Sequence, residues 1–218
     1  HMKHDMMKTT VLSVKMIPNA DPMLREALNL REDERSLGLL TTDCDDVSYA
    51  ALDEATKKAE VRVAYARSMY AGAANASTKL AGEFIGILAG RNPAEVRSGL
   101  DAAILYIEQD ACFYSANEDD SIVYFAHCIS RTGSYLSEAA GVPEGTAMAY
   151  LIAPPLEAMV GLDAALKAAQ VEMKVFYGPP SETNFAGGLL TGEQAACKAA
   201  CEAFAESVNK IADAPLIY

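Results

Sequence analysis

The sequence predicts an α+β chain of two related domains, each a mostly antiparallel four-stranded sheet covered by helices. The first observation is an internal repeat, because Asp53–Val61 returns in looser form as Asp163–Val171, 110 residues further along. The second is that each copy continues with a strand, a loop, a glycine-containing apolar strand and a long helix. The third is size, since 218 residues, 51% of them hydrophobic, suffice for two packed domains of roughly 100 residues each.

The repeat places the domain boundary between the two copies. We expect a first domain at 1–111 and a second at 112–218, with residues 1–8 a tag or disordered because the chain opens with His-Met. The offset falls from 110 to 102 residues at the strand ends Gly90 and Gly192, so the first-copy loop between Ala71 and Gly82 is eight residues longer. Both strand-end glycines are typical of tight strand-to-helix turns.

In the first copy the predicted elements are a strand at 9–16, a short helix at 21–30, a strand at 36–41, a helix ending near residue 59, strands at 61–67 and 83–89, and a helix opened by Pro93. Asp46 is the predicted N-cap of the second helix, since an aspartate oxygen can accept an N–H of the first turn. The Pro93 helix has an apolar stripe of Val96, Leu100, Ala103, Ile104 and Ile107.

In the second copy the predicted elements are a strand at 122–129, a turn and short helix at 133–140, a strand at 148–153, a helix opened by Pro154-Pro155, strands at 171–177 and 187–191, and a final helix. The final helix has an apolar stripe at helical spacing, formed by Cys197, Ala200, Cys201, Phe204, Val208 and Ile211.

Charge and cysteine usage exclude several classes of function. The net charge of −12 argues against a nucleic acid partner and against an anionic membrane surface, both of which need clustered Lys and Arg. No basic and apolar leader or run of 18 apolar residues is present, so we expect a soluble, cytoplasmic protein. The five scattered cysteines predict no disulfide framework, and Cys197 and Cys201 are expected to be apolar core residues rather than metal ligands.

The sequence also contains no signature of a catalytic centre. His127 and Cys128 are neighbours on a strand, where side chains alternate between faces, so they cannot converge on each other and are expected to pack. Ser134 and Ser181 have no accompanying base at a recognisable spacing. We therefore expect no enzyme activity, no bound metal and no cofactor on this chain.

The acidic loop at Asp43, Asp45 and Asp46 is the most suggestive local feature. Three carboxylates within four residues repel one another unless a cation or a helix cap uses them. One interpretation is a binding site for an ammonium group, which needs charged acceptors at short range. The other is a solvated loop in which Asp46 caps the following helix.

Eight longer strings of the sequence match a known pattern at consistent spacing. They are Ser36–Leu40, Thr42–Val47, Arg67–Ala74, Asn92–Glu95, Ser130–Tyr135, Ala149–Ala158, Pro179–Asn184 and Gln194–Cys201. These strings resemble the family of bacterial microcompartment shell proteins, most closely those of ethanolamine-utilising microcompartments. The resemblance covers nearly the whole chain from about Thr10 and is present in both copies.

This resemblance implies a tandem, circularly permuted pair of shell domains. It further implies a homotrimer shaped like a hexagon, a gated pore, and a place in the microcompartment shell of the cytoplasm. The implied partners are other shell proteins and ethanolamine as a small-molecule ligand, with cobalamin as a cofactor of the pathway.

The resemblance also assigns residues to two sites. The ethanolamine ligands would be Asp45, Asp46, Glu83, Phe113, Thr183, Asn184 and Phe185. The pore or gate loop would contain Tyr70, Ala71, Gly72, Ala73, Ala74 and Asn75. A carboxylate and an aromatic ring face both attract an ammonium group, and Thr and Asn side chains can bond a hydroxyl or amine.

Two alternative functions remain open from the residues alone. A lyase could use Asp45, Asp46 and Glu83 as acid–base groups, although no His, Cys or Lys is paired with them in the sequence. A regulatory module could bind a small molecule on a duplicated helix-on-sheet fold, an interpretation that depends on analogy between folds.

Overall fold

The computed structural model describes residues 4–68, 84–179, 181 and 184–218. In chain order its elements are β1 (Met6–Met7), β2 (Val11–Ile17), α1 (Pro22–Ala27), β3 (Ser36–Thr42), α2 (Asp45–Lys58), β4 (Val61–Ser68), β5 (Phe84–Gly90), α3 (Pro93–Gln109), β6 (Phe113–Ser115), β7 (Val123–Ile129), α4 (Ser134–Ala140), β8 (Met148–Ala153), α5 (Pro155–Ala168), β9 (Glu172–Tyr177), β10 (Ala186–Thr191) and α6 (Gln194–Asp213). The fold is α+β with antiparallel sheets.

The chain divides into two compact units. The first unit is Lys8–Ala111 together with Gly133–Leu136, and the second is His1–Met7, Cys112–Thr132 and Ser137–Tyr218. No helix in the described ranges is both long enough and apolar enough to cross a bilayer.

The first unit contains a four-stranded antiparallel sheet in the order β2-β3-β5-β4. Helices α2 and α3 pack against each other and against this sheet. Close approach of α3 requires small residues in the strands beneath it, since a Cβ on Gly38 would lie 2.6 Å from Cγ1 of Val96. A Cβ on Gly90 would lie 2.9 Å from Cγ2 of the same valine, so this strand-end glycine also permits the close packing of α3.

The second unit contains a six-stranded sheet in the order β1-β6-β7-β8-β10-β9. Its strands β7-β8-β10-β9 follow the same order as β2-β3-β5-β4, as expected for a duplicated domain. The sequence predicts four strands in this copy, and the structure adds two short ones at the β7 edge. Two-residue and three-residue strands leave no measurable periodicity, which is why the sequence pattern does not reveal them.

The start of the chain differs from the expectation of a disordered segment. Met6 and Met7 pair with Tyr114 and Phe113, and the N–H of Ser115 donates to the carbonyl of Asp5 at 2.9 Å. The free edge of β6 offers unpaired backbone groups, and a short segment can satisfy them whatever its sequence.

The predicted apolar stripes of the two long helices are confirmed. Along α3 the residues Val96, Leu100, Ala103 and Ile107 are buried. Along α6 the buried residues are Cys197, Ala200, Cys201, Phe204 and Val208. The remaining two residues of the predicted stripes, Ile104 and Ile211, are half-buried at their edges.

A buried carboxylate on α2 organises the Gly133–Leu136 segment of the first unit. The Asp53 side chain is 1% exposed and accepts the N–H of Gly133 at 2.7 Å and that of Leu136 at 2.8 Å. The hydroxyl of Thr56 accepts the N–H of Ser134 at 3.1 Å. These side chains therefore supply the acceptors that the first backbone N–H groups of a helix lack.

Candidate functional site

The acidic loop joins the end of β3 to the start of α2 through a network of hydroxyl groups. Thr42 donates to the carbonyl of Cys44 at 3.0 Å, and the hydroxyl of Ser48 donates to the same oxygen at 2.6 Å. The two hydroxyl oxygens also lie 2.7 Å apart, and since each hydroxyl has one proton, Thr42 can donate to Ser48 in place of that carbonyl. Burial raises the pKa of the Cys44 thiol, so that sulfur stays protonated.

The three aspartates of the loop have different roles. Asp43 accepts the N–H of Thr10 at 2.8 Å and donates its own N–H to the carbonyl of Thr10 at 3.2 Å, so it fixes the loop to the chain before β2. The prediction that Asp46 caps α2 is wrong, because Cys44 occupies the N-cap while Asp45 and Asp46 form the first turn. Acidic groups at that position are favoured by the helix dipole.

Asp45 and Asp46 form the acidic pair, a name used below for these two residues. They are 8% and 7% exposed, which is unusually low for carboxylates. Asp45 accepts the N–H of Asp46 at 2.8 Å, and a hydrogen bond also joins the two carboxyl groups. Since a carboxylate is an acceptor only, that bond requires a proton on one of the two groups.

Strand β4 contributes Ser68 to this site, in addition to Asp45 and Asp46. Thr42 of β3 and Ser68 of β4 both lie opposite Phe84 of β5, so the ends of the three strands meet at one level of the sheet. The hydroxyl of Ser68 bonds the Asp45 carboxyl. Burial raises the pKa of Asp45, and the hydrogen bonds from Asp46 and Ser68 offset part of that rise.

Several predicted site residues lie outside the described ranges. Glu83 and Thr183 are among them, and so is the whole predicted gate loop of Tyr70, Ala71, Gly72, Ala73, Ala74 and Asn75. Ser68, the last described residue before that stretch, bonds the acidic pair. Their roles stay predictions.

In the second unit the structure brings together Phe113 and Phe185. Their ring centroids are 6.0 Å apart at 59°, and Phe113 stacks on Phe125 at 5.2 Å and 12°. The N–H of Ser181 donates to the carbonyl of Phe185 at 3.0 Å, and the neighbouring Asn184 is exposed. Because Phe125 covers one face of Phe113, a cation could reach only its other face or its edge.

The remaining candidate groups do not form a catalytic centre. His127 stacks on Phe125 at 5.1 Å and 16°, and Cys128 packs against the core of the second unit. Within the described ranges, no three His, Cys, Asp or Glu side chains converge as a metal site requires.

Sequence reasoning missed two residues of functional interest, Ser68 and Asp53. Ser68 ends a strand of ordinary composition, so no local pattern marks it as a partner of Asp45. Asp53 could have been found, because it interrupts the apolar face of α2 between Leu52 and Ala55.

Comparison with known proteins gives a consistent result. The family model described as "BMC domain" matches residues 36–117. The bacterial microcompartment shell protein EutL of Clostridium perfringens is 66% identical over 99% of both chains, and EutL of Escherichia coli is 51% identical over 97% of both. The crystal structure of the ethanolamine utilization protein EutL from Leptotrichia buccalis superposes with a TM-score of 0.96 at 67% identity, covering 100% of each chain.

Proposed function

Because the chain belongs to the family of bacterial microcompartment shell proteins, we propose that it forms a trimeric, pseudohexagonal tile of an ethanolamine-utilisation shell. The observation that carries this proposal is the 66% identity to a EutL shell protein over 99% of both chains. The chain is a component of a microcompartment shell and not an enzyme. The relatives give no support to a lyase or a regulatory module, and cobalamin stays a prediction.

The proposed tile follows from the duplication. A chain with two related domains can form a ring of six similar domains from three copies, with closed symmetry. The longer first-copy loop, between Ala71 and Gly82, reduces a sixfold ring to a threefold one. Other shell proteins would then surround the tile as partners.

We expect native mass spectrometry at micromolar concentration to give a mass of about 70 kDa, three times the 23.2 kDa of one chain. Electron micrographs of concentrated protein should show hexagonally packed sheets with threefold tiles. A monomer or dimer in the mass measurement contradicts the assembly, and a trimer that never forms sheets contradicts its role as a tile.

We propose that the acidic pair binds ethanolammonium, with Glu83 as a further carboxylate. The support is chemical: two nearly buried carboxyl groups share a proton, and an ammonium N–H group can take the place of that proton. On the resemblance alone, Phe113, Thr183, Asn184 and Phe185 are also proposed as ethanolamine ligands. Binding should be weak, because a pore must release what it binds.

We propose that the segment from Tyr70 to Leu80 acts as the gate of the tile. The stretch from Ala71 to Gly82 contains five alanines and Gly72, a composition with little side-chain bulk to hold it in one conformation, so a change of state would cost little free energy. If three copies of the segment meet on the threefold axis, their conformation determines the bore. Ethanolammonium bound at the acidic pair can shift the gate between its open and closed states only if the two states bind it with different affinities.

A cysteine at Asn75 tests the gate. We expect trimers of Asn75→Cys, joined by a trifunctional maleimide, to lose most of the ethanolamine flux through assembled shells. Leu105→Cys is the matched control, since Leu105 is 51% exposed on α3 and should be labelled without changing the flux. Unaltered flux through fully cross-linked Asn75→Cys shells would show that this segment is not the gate.

A further inference from the structure

The two copies of the repeat connect equivalent strands through segments of equal length. Residues 18–35 join β2 to β3 and contain α1, and residues 130–147 join β7 to β8, so each connection has 18 residues. Equal length aligns the two connections position by position. Met23 and Leu24 of α1 are therefore equivalent to the last two residues of the Gly133–Leu136 segment.

The Gly133–Leu136 segment packs on α2 within the first unit. The ring of Tyr135 stacks on the ring of Tyr49 of α2, with centroids 6.2 Å apart at 22°. Leu136 is 2% exposed, and Asp53 of α2 accepts its N–H at 2.8 Å. In the first copy, the outer face of the helix that follows the central strand β3 is thus covered by a connection that the sequence places in the second copy.

Helix α5 is the equivalent of α2, and the corresponding face is exposed. The repeat makes Met159 equivalent to Tyr49 and Val160 equivalent to Ala50. Ala50 is buried, whereas Leu156, Met159 and Val160 are between 43% and 61% exposed. These three large side chains recur at helical spacing, so they form one apolar surface, called the α5 face below.

Helix α1, the equivalent of the covering segment, is also exposed. None of its residues is buried, and Met23 is 80% exposed. It needs no acceptor from a second helix, because Asp21 at its N-cap accepts the N–H of Met23 at 2.9 Å. A contact between α1 and another helix would therefore be apolar, unlike the contact that Asp53 makes. This agrees with Asp163, the equivalent of Asp53, whose carboxylate pairs with Lys167 instead.

We propose that α1 of one copy packs on the α5 face of a neighbouring copy and that this contact joins the chains of the trimer. The inference rests on the ring of six similar domains proposed above. In such a ring, equivalent boundaries are built alike. At the boundary between chains α1 takes the place of the Gly133–Leu136 segment, and α5 takes the place of α2. Met23 then lies over Met159, as Tyr135 lies over Tyr49, and flexible methionine side chains adapt well to such a contact.

A pair of introduced cysteines tests the contact directly. We expect the double variant Met23→Cys with Met159→Cys, treated with a short bismaleimide, to give covalent dimers and trimers on a denaturing gel. Each single variant should remain at the mass of one chain, which also controls for the five native cysteines. A link within one chain, or no link in a protein that native mass spectrometry shows to be trimeric, would overturn this contact and leave the trimer standing. A wild-type protein that is not trimeric would overturn the proposed function as well.

A charge placed on the α5 face gives a second test. We expect Met159→Asp to weaken the trimer at least tenfold, because each interface would bury a carboxylate without a partner. Adding Met23→Lys should restore the trimer, since the lysine of the neighbouring chain can pair with that carboxylate. Leu105→Asp is the matched control, because Leu105 is 51% exposed on α3, outside both helices.

Native mass spectrometry over a dilution series measures the trimer in these variants, and circular dichroism shows that each variant is folded. Met159→Asp that stays as trimeric as the wild type contradicts the contact. Loss of the hexagonal sheets from a variant that is still trimeric would place the α5 face between tiles, which contradicts it equally.

Discussion

Replacing Asp53 with alanine will lower the free energy of unfolding by roughly 3 kcal/mol, because two buried N–H groups lose their acceptor together. The carboxylate bonds Gly133 at 2.7 Å and Leu136 at 2.8 Å and is 1% exposed, so water cannot replace it without opening the segment. Each orphaned N–H costs about 1–3 kcal/mol, against a total stability of about 5–15 kcal/mol. Urea unfolding followed by circular dichroism measures the loss.

The internal repeat supplies the control for this variant. Asp163 is the equivalent of Asp53 in the second copy, but its carboxylate is 64% exposed and pairs with Lys167 at 2.8 Å, one turn away on α5. An exposed pair at this spacing contributes about 0.3–0.5 kcal/mol, so Asp163→Ala should change stability by no more than that. Equal losses in the two variants would contradict the role assigned to Asp53.

The difference in stability between the wild type and Asp53→Ala should depend on pH, because Asp53 has a shifted pKa in the folded state. Burial raises that pKa, although the N–H groups of Leu136 and Gly133 counteract it. A carboxyl group with a raised folded-state pKa binds its proton more tightly in the folded state. Its stabilising contribution is therefore full below the ordinary value and declines as pH rises through the folded-state pKa. The advantage of the wild type over Asp53→Ala should be larger at about pH 4 than at about pH 7.

Hydrophobic periodicity predicted much of the fold, because a helix with one buried face has apolar residues that recur at helical intervals along the sequence. The stripes of α3 and α6 are examples, since Val96 and Leu100 or Phe204 and Val208 recur at helical intervals. Strand order is a property of contacts between distant segments, so no local pattern predicts that β5 lies between β3 and β4. The strands β1 and β6 were missed because segments of two and three residues are too short to show a periodic pattern.

The candidate site was predicted only in part, for a related reason. The charge cluster of the acidic loop draws attention to Asp43, Asp45 and Asp46 alike, and only the structure separates the first from the other two. Asp43 is bonded to Thr10, 33 positions away in the chain, and Asp45 to Ser68 across the sheet. Side-chain partners of this kind are determined by tertiary contacts, so the local amino-acid composition does not predict them.

The double variant Asp45→Asn with Glu83→Gln is expected to abolish ethanolamine binding while leaving the fold intact. A charge-assisted hydrogen bond contributes about 1.5–3 kcal/mol, so losing one carboxylate reduces affinity about tenfold or more, and losing two removes a weak site. Titration calorimetry measures the affinity, and circular dichroism the fold. Unchanged affinity in this variant would overturn the assignment of the site.

A variant of the same loop serves as a control, which distinguishes binding by the acidic pair from a general effect of negative charge. Asp43→Asn removes one negative charge, but the Asp43 carboxylate is bonded to Thr10 and lies outside the pair, so affinity should change less than about twofold.

The pH dependence of ethanolamine binding gives a further distinction. Burial raises the pKa of Asp45, so a proton competes with the ammonium group below that pKa and binding releases it. Wild-type affinity should therefore rise with pH through the raised pKa, by up to about tenfold per pH unit, and then level off. The single variant Asp45→Asn should bind weakly without this rise, because the titrating group that exchanges its proton for the ligand is gone.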